Sequence, residues 1–76
     1  MTPDNFESSL TTPLGRKPFR PFTVELVSGS TLEVQHPEAL VVRGPVAVLF
    51  GSDGILAIFD HEGVSQVRTP QDGVSA

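Results

Sequence analysis

The sequence predicts a mainly β fold: a small antiparallel curled sheet or five-stranded barrel with a short N-terminal helix. Three observations carry that expectation. Phe22 to Leu26 and Thr31 to His36 alternate apolar and polar residues with a period of two. Turn residues recur at short intervals, in Ser28-Gly29-Ser30, Arg43-Gly44-Pro45, Gly51-Ser52-Asp53-Gly54 and Asp60-His61-Glu62-Gly63. Seven prolines and seven glycines in 76 residues leave room only for short elements in a single domain.

Residues 1–15 form the N-terminal segment. Thr2 or Asp4 can cap a short helix with Pro3 in or before its first turn. Phe6 and Leu10 stand four apart and would share a face, and Thr11-Thr12-Pro13 should stop the helix. A frayed terminus is the alternative, since only those two apolar residues anchor it. In residues 16–22 two prolines favour an extended path. Phe19 and Phe22, three apart, then point the same way, either plugging the end of the core or lining a recognition strip.

Residues 16–68 hold the β domain. Its clearest part is a hairpin, with Phe22, Val24, Leu26, Leu32 and Val34 facing inward around Ser28-Gly29-Ser30. Pro37 cannot donate to a ladder, so the second strand ends at His36-Pro37-Glu38. Leu40-Val41-Val42 reads as a brief extended piece. Val46 to Phe50 and Ile55 to Phe59 form a second hairpin across Gly51-Ser52-Asp53-Gly54, and Val64 to Val67 a short closing strand. Residues 69–76 are polar and read as a disordered tail.

The second hairpin breaks the alternation. A strand with one wet face should alternate; Val46–Phe50 and Ile55–Phe59 are apolar throughout. One face must meet the core. The other must meet the N-terminal segment, the far side of a barrel, or a second subunit. A chain this short also buries only about 60% of its unfolded surface and gains little surplus from its core. Cysteine is absent, which removes disulfides and thiolate metal sites as reinforcement. Self-association is therefore expected, through Val46, Val48, Phe50, Ile55, Ala57 and Phe59, giving a homo-oligomer with room for a further protein partner.

Other chemistries find little material. No serine sits in a Gly-x-Ser-x-Gly elbow, and no carboxylate pair is set by motif. His36, Glu38, Asp60, His61 and Glu62 include metal-ligating types, but without metal-site spacing. Gly51-Ser52-Asp53-Gly54 lacks the Lys-Ser/Thr ending of a phosphate loop. The expectation is no enzyme, no cofactor and no metal. Formal net charge is −4, and the stretch from Arg16 to Arg68 balances five basic against six acidic residues, which argues against whole-surface nucleic-acid binding. One local feature survives: Arg16, Lys17 and Arg20 beside Phe19 could neutralise phosphates and stack on a base. No secretory leader pattern or bilayer-length apolar run is present, so no membrane partner and a cytoplasmic location are expected.

Arg16-Lys17-Pro18-Phe19-Arg20-Pro21-Phe22, followed by Thr23-Val24-Glu25-Leu26, Ser28-Gly29 and His36-Pro37-Glu38, resembles a group of small uncharacterised bacterial proteins over about residues 5 to 68. That group has an Arg-x-Pro-Phe-Arg-Pro-Phe opener and a His-Pro-Glu after the first hairpin. The resemblance implies no activity. In element order the chain is also similar to Sm-like and SH3-like barrels, of which the Sm-like form rings and often bind RNA. It departs from the Sm-like pattern in lacking a glycine in the second strand, and Arg43-Gly44 does not occupy the nucleotide-binding position. These readings set two expectations: a non-enzymatic, self-associating module for assembly or protein binding, or a ring-forming RNA/DNA-binding protein of Sm-like type.

Overall fold

A computed structural model describes residues 1–51 and 54–70. The tip of the second hairpin loop, Ser52-Asp53, and residues 71–76 of the expected tail lie outside the described residues. Among the described residues the order is helix α1 (Pro3–Leu14), then strands β1 (Phe22–Leu26), β2 (Thr31–Val34), β3 (Leu40–Arg43), β4 (Val46–Phe50), β5 (Leu56–Asp60) and β6 (Val64–Arg68). Single 3-10 turns at Pro37–Ala39 and His61–Gly63 precede β3 and β6.

The strands form two antiparallel three-stranded sheets, ordered β2-β1-β6 and β3-β4-β5. The mainly β architecture with its N-terminal helix stands, but not as a closed five-stranded barrel: no ladder joins the two sheets among the described residues. The physical reason lies in the connections. A barrel needs strands that bend continuously from one side to the other. Here Pro37 interrupts the path from β2 to β3 and the Asp60–Gly63 turn interrupts the path from β5 to β6, so each crossing is made by a 3-10 turn. The Asp60 side chain holds the second turn by accepting from the Gly63 N–H at 3.1 Å.

Helix α1 forms because its start is capped and one face is apolar. The Thr2 hydroxyl accepts from the Asn5 N–H at 3.2 Å, with Pro3 opening the first turn. The helix does not stop at Thr11-Thr12-Pro13; it continues through Pro13 to Leu14. Pro13 is buried, and its burial on the last turn offsets the lost donor. Termination falls at Gly15, whose N–H reaches the Thr11 and Thr12 carbonyls.

The first hairpin has the expected register. Phe22 pairs with Val34 and Val24 with Leu32, all on the core side. Gly29 takes φ +96°, a conformation open to glycine and strained for other residues. The core then gathers side chains from all three layers: Phe6 and Leu10 of the helix, Phe22, Val24, Val34 and Val64 of one sheet, and Leu40, Ala47, Leu49 and Phe59 of the other. The helix packs against β3 and β6, one strand from each sheet, and so ties the sheets together. Phe6 meets Phe59 edge to face, centroids 6.1 Å apart.

Candidate self-association surface

Residues directly paired across a ladder share a face. In β2-β1-β6 the outer face follows from Thr23 paired with Glu33 and Arg68, and Glu25 paired with Thr31 and Gln66. Every one of these is polar. Glu25 organises them: its carboxylate accepts from Gln66 Nε2 and from Arg68 at 2.8 Å, while the Ser65 hydroxyl donates to its carbonyl. The hydrogen bond from Gln66, then that from Arg68, hold the Glu25 carboxyl below the ordinary glutamate value. This sheet has the one wet face that its alternating sequence requires.

The other sheet is built differently. Its inner rows are Val42–Ala47–Phe59 and Leu40–Leu49–Ala57. Its outer rows are Arg43–Val46–Asp60, Val41–Val48–Ile58, and Phe50–Leu56. Phe50 and Leu56 are each 52% exposed and Ile58 is 67% exposed. Large apolar side chains thus run unbroken over three strands, with charge at only two corners, Arg43 and Asp60. An open groove of about 490 Å³ borders the patch, lined by Leu26, Val46, Ile58, Phe59, Asp60 and Gly63.

Of the three covers expected for the second face, the N-terminal helix lies on the inner side, where Phe6 meets Phe59. On the outer side Phe50, Leu56 and Ile58 stay exposed, and no ladder joins the two sheets among the described residues. Among the residues expected at the surface, Val46, Val48 and Phe50 do share the outer face. Ile55 is exposed just before β5, whereas Ala57 is half-buried and Phe59 buried, both on the inner face. Leu56 and Ile58 stand outside in their place. They are the residues that sequence reasoning missed, and the polar Asp60, of the same parity, was the signal that could have found them.

In the cationic segment the two aromatic rings pack together. Phe22 is buried, and Phe19 lies half-buried edge-on to it with centroids 6.1 Å apart. Arg16 donates to the Pro70 carbonyl at 3.4 Å. Lys17 and Arg20 are exposed. The ring that would have to stack on a base is therefore partly spent on the core.

Among the described residues no three His, Cys, Asp or Glu side chains are grouped to hold a metal. His61 turns its Nδ1 to the Met1 carbonyl at 2.8 Å, and His36 stands exposed at the start of the other 3-10 turn. No helix among the described residues is long and apolar enough to cross a membrane. Comparison with family models, curated proteins and solved structures finds no match to this chain.

Proposed function

We propose that the chain is a non-enzymatic, self-associating β module whose working surface is the outer face of β3-β4-β5. One observation carries the reading: two sheets of equal width in one domain have opposite outer faces, one polar and hydrogen-bonded, one apolar and uncovered among the described residues. Contiguous exposed apolar area of this kind marks a surface that meets another macromolecule. The undersized core adds a motive, since burying Val48, Phe50, Leu56 and Ile58 in an assembly stabilises the subunit as well as the contact. Nucleic-acid binding through Arg16, Lys17 and Arg20, in the ring-forming Sm-like manner, has less behind it, because Phe19 packs on Phe22 and Arg16 on Pro70.

Light scattering after size exclusion, over a hundredfold range of protein concentration, tests the proposal. Mass should rise with concentration for the wild type and stay at one chain for Val48→Asp, which sets a charge in the middle of the patch. A wild type that remains at one chain into the high micromolar range sinks it.

A further inference from the structure

The outer face carries an arrangement that names its occupant. Arg43, Val46 and Asp60 lie in one row across three strands, with Val46 on the central strand and the opposite charges on either side of it. Both charged side chains are exposed. Among the described residues Arg43 reaches only the neighbouring Val42 carbonyl, at 3.0 Å, and Asp60 offers one oxygen to the Gly63 N–H.

Consider a second copy laid face to face on this sheet. Closed dimers are most often two-fold symmetric, with the same patch on both subunits. A two-fold axis running along β4 exchanges β3 for β5 and keeps each row opposite itself. Arg43 of one copy then stands over Asp60 of the other, twice per dimer. Val46 faces Val46, Val41 faces Ile58, and the Phe50 rings meet at the far end. A two-fold axis running across the strands instead exchanges the rows. It would set Arg43 and Asp60 over the end of the sheet occupied by Phe50 and Leu56, leaving both charges without a partner in an apolar contact, which is costly. Both arrangements keep the strands of the two sheets aligned, as face-to-face packing favours, so the charges decide between them.

We infer that the occupant of the outer face is a second copy of this chain, related by a two-fold axis along β4 and held in register by two reciprocal Arg43–Asp60 pairs. This rests on the self-association reading and gives it a partner and a geometry. The face is three strands wide and at most five residues long. That puts it at the small end of specific interfaces, among the weak and reversible ones.

Charge exchange tests the arrangement. R43E sets a carboxylate against Asp60 twice in its own dimer, and D60K sets an ammonium against Arg43 twice. Each should weaken self-association about tenfold or more. Mixed together, the two variants form both attractive pairs: the introduced carboxylate meets the introduced ammonium, and the native Arg43 of one copy meets the native Asp60 of the other. A heterodimer should therefore recover near wild-type affinity. Native mass spectrometry separates the homodimers from the heterodimer, and circular dichroism checks that each variant is folded. D60K gives up the hydrogen bond to Gly63; if it does not fold, D60N keeps an oxygen for that bond. R43E mixed with D60N also removes both repulsions and should form heterodimer in preference to the R43E homodimer. A dimer abolished by Val48→Asp but indifferent to R43E, or a mixture that fails to recover, overturns the two-fold arrangement and leaves self-association standing. A wild type that never dimerises overturns both.

Discussion

Glu25 and Phe6 show what individual side chains contribute to so small a domain. Glu25 gathers Gln66 and Arg68 from the neighbouring strand, and these hydrogen bonds favour its ionised form. A carboxyl held below its unfolded value contributes stability that is present above the unfolded value and is lost as pH falls through the folded one. Glu25→Gln should therefore lower the urea midpoint at neutral pH, and the gap between wild type and variant should close in acid, once the pH has fallen through the folded value. Equal gaps at both pH values would show that the charge contributes nothing. Phe6 is different in kind: it is fully buried and meets Phe59 edge to face. Phe6→Ala leaves a cavity between the helix and the second sheet and should cost about 3–5 kcal/mol. Cores of this size supply little more than that in total, so the variant should lack a cooperative thermal transition, with Phe6→Leu retaining one.

At the scale of elements, legibility followed the pattern of alternation. The first hairpin was readable because Phe22, Val24, Leu32 and Val34 alternate with polar residues, and a shift by one residue would have put polar groups in the core. In β5 every residue from Leu56 to Phe59 is apolar, so the one sign of which parity faces out is the polar Asp60 that ends the strand. The register agrees with that sign, pairing Phe50 with Leu56 and Val46 with Asp60. Hence Ile58, not Phe59, belongs to the outer surface. Strand β6 posed a similar problem: Val64 and Val67 both face inward although three apart, because the register shifts between Glu25 and Leu26. No residue in Val64-Ser65-Gln66-Val67 announces a bulge. Helix α1 was readable in its cap and its Phe6 and Leu10 face, but its extension through Pro13 depends on burial, a tertiary effect. The parity of β5 is open to test. Ile58→Lys should change stability by no more than about 0.5 kcal/mol at low protein concentration, as exposed sites do. Phe59→Lys should unfold the domain. Comparable losses from both would mean that β5 is not registered as described.

Over the whole molecule, the two faces of the second sheet link folding to association. Anything that binds the folded state alone stabilises it by mass action, and a second copy is no exception. If folding and pairing are coupled, unfolding releases two chains from each dimer. Each tenfold rise in concentration above the dissociation constant then adds about 0.7 kcal/mol per chain, half the full tenfold factor. For a domain of this size that corresponds to a rise in Tm of about 3–5 °C. The wild type should show this increment for each tenfold rise above its dissociation constant, measured by circular dichroism in cells of decreasing path length. Val48→Asp should hold one Tm throughout, near the wild-type value at the dilute end, because Val48 lies on the outer row and away from the core. The comparison separates two origins of marginal stability. A low Tm that climbs with concentration and stops climbing in the variant belongs to a subunit completed by its partner; a low Tm indifferent to concentration in both belongs to a core that is weak by itself, and would leave the apolar outer face without a stabilising role.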